Sequence, residues 1–169
     1  MLVCAMNPCK CGYYGHPSGR CTCSEQAVRQ YRQKISGPLL DRIDIHAEVP
    51  AVEYEALRDR RPAESSAAIR RRVNGARQCQ AARYQGTGVH CNAQLTPALM
   101  GRFCRLDSQG EALMAAAFRS LGLTARSYDR VLKVARTVAD LAGSEAIRAE
   151  HIAEAVQFRA LDRESSFQI

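Results

Sequence analysis

Four cysteines stand in two Cys-x-Cys pairs, Cys9-Lys10-Cys11 and Cys21-Thr22-Cys23, with a glycine-bearing loop between them. Four thiolates from one loop is the number a tetrahedral structural zinc takes. Gly12, Gly15 and Gly19 would let the backbone curl round a small ion. His16 offers a spare ligand. One-residue spacing is less typical than two, and surface thiols or a pair of disulfides compete with the metal reading. In a reduced chain the metal reading stands ahead. Cys4 lies in an apolar run and is expected to be a buried hydrophobe.

Two arginines and one asparagine complete the chemically interesting set. Arg42 sits in Leu39-Leu40-Asp41-Arg42-Ile43-Asp44, between a short apolar anchor and an alternating Ile43-Asp44-Ile45-His46 segment. It either salt-bridges its own aspartates or reaches beyond its own domain. Arg126, in Leu123-Thr124-Ala125-Arg126-Ser127, falls in the first turn of a helix, where N–H groups and helix polarity attract an anion. Solvated charge on an amphipathic helix is the plainer alternative. Asn7 ends the apolar run Leu2–Met6, where a strand of an α/β domain would present a polar residue to a ligand crevice. With Pro8 it also makes an ordinary turn.

These residues must be positioned by mostly helical elements. Leu2–Met6 and Ile43–Val49 read as short strands, and two isolated strands do not make a stable sheet. Ser24 caps a helix to about Lys34 with Val28, Tyr31 and Ile35 on one face, and Ser36-Gly37-Pro38 breaks it. Ser65 or Ser66 opens a helix to about Gln85, with Ile69, Val73, Ala76 and Ala81 inward. Thr96-Pro97 begins a short helix, and Ser108-Gln109-Gly110-Glu111 has capping-box spacing before Leu113, Met114, Ala117 and Phe118. Thr124 caps a helix to Leu141, and a last one spans roughly Arg148 to Arg163, burying Ile152, Val156 and Ala160.

The chain of 169 residues is 46% hydrophobic, enough for a core, and no apolar run approaches a membrane span of about 18 residues. Met1–Met6 has no basic leader, so a soluble cytoplasmic protein is expected. Net charge is +7, and every basic residue except Lys10, Lys34 and Lys133 is an arginine. Arginine suits bidentate phosphate contact, which makes a nucleic acid or nucleotide a plausible partner without establishing one.

Ala5-Met6-Asn7-Pro8-Cys9-x-Cys11-Gly12-Tyr13, then Cys21-x-Cys23, then Ser36-Gly37-Pro38-Leu39-Leu40-Asp41-Arg42-Ile43-Asp44-Ile45-His46 closely resembles the magnesium-chelatase-like AAA+ ATPases of the ComM/YifB competence type. Ser127-Tyr128-Asp129-Arg130-Val131-Leu132-Lys133-Val134-Ala135-Arg136-Thr137 and His151-Ile152-Ala153-Glu154-Ala155 carry the resemblance through the second half. It implies that Asn7 is the sensor-1 residue orienting the attacking water. It also implies that Arg42 is an arginine finger serving the adjacent subunit's ATP, and that Arg126 is the sensor-2 residue of the lid. ATP and magnesium would be the cofactors, with zinc added if the cysteines hold it. The partners implied are identical subunits in a ring, usually a hexamer, and DNA.

The resemblance is incomplete. No Gly-x-x-x-x-Gly-Lys-[Ser/Thr] occurs, no strand with an acidic pair for magnesium precedes Leu2, and the family's Lon-protease-like domain is absent. The expected fold is mainly α: residues 1–50 a remnant of an AAA+ α/β core with one or two strands and the Cys-rich loop, 51–63 a linker, and 64–169 a helical lid bundle. Such a piece would be monomeric, with Arg42 exposed, and would not hydrolyse ATP by itself. A zinc-stabilised DNA-binding module without ATPase role is the competing function. True chelatase activity ranks last, because nothing resembles a porphyrin site.

Overall fold

The computed structural model describes residues 1–52, 54–58 and 61–159. The described residues are mainly α-helical and form two compact units, Met1–Leu40 with Glu48–Arg60, and Asp41–Ala47 with Arg61–Ile169.

In the first unit α1 spans Glu25–Arg32, α2 is the single turn Gly37–Leu40, and α3 is Tyr54–Arg58. Ser24 caps α1 as expected, its side chain accepting from the Ala27 N–H, and Val28 is buried. Ser-Gly-Pro does not simply break the chain: the amides of Leu39 and Leu40 both donate to the Ser36 carbonyl, giving one helical turn.

Neither expected strand forms among the described residues. Leu2, Val3 and Met6 lie outside regular secondary structure and are exposed, as are Ile45 and Val49. Cys4, expected to be buried, is exposed with them. The cause is the one that makes isolated strands unstable: no neighbouring strand is available to take their N–H and C=O groups. The one β-type pairing described is a parallel bridge between Leu106 and Ile147.

The second unit is a bundle of α4 (Ser66–Arg83), α5 (Pro97–Phe103), α6 (Ser108–Leu121), α7 (Ala125–Leu141) and α8 (Ala149–Gln157), with a 3₁₀ turn at Asn92–Gln94. Helix α7 lies at its centre, packed against α8, α4, α5 and the 3₁₀ turn, while α6 packs on α8. Val131, Ala135 and Ala139 line its inner face, and Ile147 and Ile152 are fully buried beside them. Each such isoleucine stabilises the fold by roughly 1.5–3 kcal/mol.

Local signals set the ends of these helices. Ser65, Thr96 and Thr124 each cap the helix that follows through a side-chain oxygen. Gly122 closes α6 in the left-handed region at φ 60°, letting the Leu123 amide reach the Phe118 carbonyl at 3.1 Å. Asp107, not Ser108, caps α6: its carboxylate accepts from the Gly110 N–H at 2.7 Å. A side chain at Gly110 would lie 3.2 Å from that carboxylate and 3.4 Å from Leu106 Cβ, so any larger residue would make these neighbours shift.

Of the α4 residues expected to face inward, Ala76 does so and the other three do not. Ile69 and Val73 are 42% and 43% exposed, and Ala81 is exposed, while Ala76 and Gln80 are buried with Tyr84 just beyond the helix. These three are spaced by four residues, one stripe of a helix, and the stripe is chosen by a polar partner rather than by hydrophobicity. Helix α8 ends at Gln157. The expected inward position Ala160 and the stretch to Arg163 lie outside the described residues.

Candidate functional site

The four cysteines of the first unit converge. Their sulfurs all lie within 4.8 Å of one another, with Cys9–Cys11 at 3.3 Å, Cys11–Cys21 at 3.7 Å and Cys9–Cys21 at 3.9 Å. Zinc–sulfur bonds of about 2.3 Å in a regular tetrahedron place sulfurs roughly 3.8 Å apart. The cluster therefore fits a metal, whereas a disulfide needs sulfurs about 2.05 Å apart, and all eight cysteines are free. The loop folds as a succession of turns, with Gly12 N–H to Cys9 C=O, His16 N–H to Tyr13 C=O and Gly19 N–H to His16 C=O at 3.1–3.2 Å. Gly12 takes φ 86°, which a side chain would strain.

The turns aim backbone N–H groups at sulfur. Those of Tyr13 and Thr22, helped by the Cys9 thiol, draw the Cys11 thiol down to about 6. Cys21 also receives the Cys23 N–H, but burial and its neighbours Cys11 and Cys9 outweigh it and push that thiol up to about 11. Four thiolates at this separation cannot ionise together without a cation between them, which a bound metal ion would supply. His16 turns its Nδ1 to the Ser18 N–H at 3.0 Å, so its ring is engaged outside the cluster. Asn7 is exposed in the same unit, its side chain beside Gly12.

Arg42 belongs to the other unit. The two aspartates beside it, which could have neutralised it, are taken by the helical bundle. Asp41 accepts from the Thr124 hydroxyl at 3.4 Å and lies 3.8 Å from the Arg159 guanidinium, and Asp44 pairs with Arg130. Arg42 itself is exposed. In place of the local salt bridge, one of the two alternatives for Arg42, three long-range contacts engage both aspartates and not Arg42.

Arg126 occupies the second position of α7, exposed, behind a capping box in which Thr124 and Ser127 satisfy each other's amides. The first turn of α7 holds no acidic residue. A cation there opposes the helix dipole, a placement that becomes favourable when an anion binds between them. Arg126 lines an open groove of about 640 Å³ between α6 and α7, with Glu111, Met114, Phe118, Tyr128 and Asp129. Thr124, two residues before Arg126, is also the residue that Asp41, immediately before Arg42, touches. The segment carrying Arg42 thus meets the helix end carrying Arg126.

One polar cluster has no counterpart in the sequence reading. The Asp140 carboxylate is fully buried and accepts from Arg83 (3.0 and 2.5 Å), Arg136 Nε (3.1 Å), Gln80 (3.2 Å) and Asn92 (2.9 Å). Arg136 continues to the carbonyls of Ser144 and Glu145, and Tyr84 donates to Asn92 at 2.6 Å. Burial alone would raise the Asp140 carboxyl, but hydrogen bonds from Arg83 and Asn92 and the charges of Arg136 and Arg83 hold it below the usual carboxylate range. The cluster joins α4, the 3₁₀ turn, α7 and the α7–α8 loop, and explains why Gln80 faces inward. The i,i+4 pair Arg136–Asp140 was its one visible trace in sequence.

A helical bundle with a capped, arginine-bearing α7, preceded in the chain by a cysteine-rich loop, matches a known family in both halves. Residues 63–159 match the model of the C-terminal part of magnesium chelatase subunit ChlI, and residues 1–57 match that of magnesium chelatase subunit ChlI. The chain belongs to this magnesium-chelatase-like family, within its ComM/YifB branch. It is 40% identical over 163 residues to the uncharacterized protein YifB of Escherichia coli. It is 38% identical over 165 residues to the competence protein ComM of Haemophilus influenzae, and 37% over 163 to YifB of Salmonella typhimurium. Each alignment covers 96% of this chain but 31% of the relative, so the chain spans about a third of the length of the curated relatives it matches. No helix of the described residues is long and apolar enough to cross a membrane.

Proposed function

We propose that this chain is the sensor, finger and lid part of an ATP-driven ring motor acting on DNA. Asn7 orients the attacking water, Arg42 reaches the ATP held by an adjacent subunit, and Arg126 contacts nucleotide from the lid. Phosphoryl transfer depends on positioning and charge neutralisation, and a finger supplied in trans ties hydrolysis to assembly. Head-to-tail placement of such a finger closes into a ring, with six subunits the expected number. The observation that carries this reading is the state of Arg42: exposed, while both neighbouring aspartates are engaged by the bundle. DNA as the substrate rests on the competence protein among the relatives and on the arginine-rich net charge of +7.

Magnesium would accompany ATP, and zinc would be held by Cys9, Cys11, Cys21 and Cys23 as a structural ion that fixes the loop next to Asn7. The protein purified under reducing conditions should contain one zinc per chain. Cys11→Ser should lose it, and chelation should loosen the first unit while α4–α8 keep their helicity. Metal-free protein with intact thiols, or disulfides found by mass analysis, would exclude the site.

The thiolate cluster also favours a second reading, a zinc-stabilised DNA-binding module with no ATPase role. Salt-dependent DNA binding separates the two. In the protein at the full length of its relatives, the motor reading predicts DNA binding that requires ATP and ring assembly, seen as a large sedimenting species. Equal binding with and without ATP, by a species that never assembles, favours the module.

A further inference from the structure

Residues Asp41–Ala47 lie between two stretches of the first unit in sequence, yet they are part of the compact helical unit. What attaches them is a set of contacts reaching across 83 or more residues of chain. Arg159, fully buried, donates through Nη1 to the Ile43 carbonyl at 2.5 Å and approaches Asp41 at 3.8 Å. The His46 amide donates to the Phe158 carbonyl at 2.7 Å. Asp44 pairs with Arg130 on α7, and Asp41 accepts from Thr124 at the start of that helix. Residues on both sides of Arg42, Asp41 through its carboxylate and Ile43 and His46 through their backbone, are thus held by residues just past α8 and by the start of α7.

We propose that this clasp makes the Arg42 segment travel with the lid as one piece, and that Arg159 is the positioning residue that sets where the Arg42 guanidinium goes. The proposal rests on the reading of Arg42 as a finger and of Arg126 as the lid's own nucleotide contact. Arg126 and Arg42 then report to different ATP sites from one rigid body. When nucleotide moves the lid through Arg126, the same movement carries Arg42 relative to the neighbouring subunit's ATP. Successive sites in the ring are coupled through the clasp, with no separate relay.

The test uses the protein at the full length of its relatives. Arg159→Ala should expose the His46 amide to hydrogen exchange and lower kcat for ATP by about tenfold or more, since small misplacements of a catalytic group cost rate steeply. KM should be nearly unchanged, and cooperativity in ATP should be lost. Because Arg159 is buried, a second set of variants uses the less buried pair: Asp44→Arg should reproduce the kcat loss in part, and Arg130→Asp added to it should restore rate and cooperativity. Unchanged kcat and cooperativity in folded Arg159→Ala and Asp44→Arg proteins would overturn the coupling. So would a melting shift with no kinetic change. Unaltered His46 exchange in Arg159→Ala would overturn the clasp itself. If Arg42→Ala leaves turnover intact, the finger reading fails, and the exchange measurement still decides the attachment.

Discussion

Arg42→Ala in the full-length protein is expected to abolish most ATP turnover, by about 10³-fold or more, while nucleotide affinity stays close to that of the unaltered protein. The size follows from what a finger does: it neutralises charge that develops only in the transition state, and its loss costs rate rather than binding. Among the described residues, no contact gives Arg42 a stabilising task that its removal would disturb. It is exposed, and Asp41 and Asp44 keep their partners Thr124, Arg159 and Arg130 without it. Helical content and melting should therefore be unaltered. Arg42→Lys should recover only part of the rate, because an ammonium lacks the planar fork that engages two phosphate oxygens. Turnover at saturating ATP, beside nucleotide binding by calorimetry, is the check; normal turnover in the alanine variant removes the assignment.

The largest stability effect is expected at Asp140. Replacing it with alanine leaves Arg136, almost wholly buried, without its carboxylate, and breaking such a pair costs about 3–5 kcal/mol. Denaturant unfolding of the helical unit should show that loss, and Arg83→Ala, whose side chain is partly exposed, should show less. The pH dependence has a definite sign. Asp140 protonates at a lower pH in the folded chain than in the unfolded one, whose carboxyl has the usual value of 3.8. Its contribution is therefore complete above 3.8 and is lost as pH falls through the lower folded value. Asp140→Asn should flatten this acid limb. An unchanged acid limb, or an alanine variant as stable as the parent, would contradict the role given to the cluster.

How much of this was legible in the sequence depended on distance along the chain. Ser24, Ser65, Thr96 and Thr124 mark helix starts because a cap bonds an amide two or three residues away. The four cysteines were legible for the same reason, all belonging to one loop. Asp107 was missed because Ser108 offered an equally plausible oxygen, and it is the bond from the Gly110 N–H to the Asp107 carboxylate that identifies the cap. The strands at Leu2–Met6 and Ile43–Val49 were read from apolar pattern, which records what a segment can pair with and not whether a partner exists. Arg83, Asn92 and Asp140 meet from three elements, and Arg159 reaches Ile43 across 116 positions. No periodicity encodes such meetings; they follow from how α4, α7 and α8 pack. The inward turn of Gln80 belongs with them, since its burial makes sense only once Asp140 is in place.

The central claim is that Arg42 completes the ATP site of a neighbour rather than one of its own. Mixing two inactive full-length proteins tests it directly: one carries Arg42→Ala, and the other has a disabled phosphate-binding loop with Arg42 intact. Mixed rings place a good Arg42 against a good ATP site at some interfaces, so ATP turnover should reappear on mixing and follow the proportion of such interfaces. If the mixtures stay as inactive as either protein alone, although they assemble, Arg42 does not act across the subunit boundary.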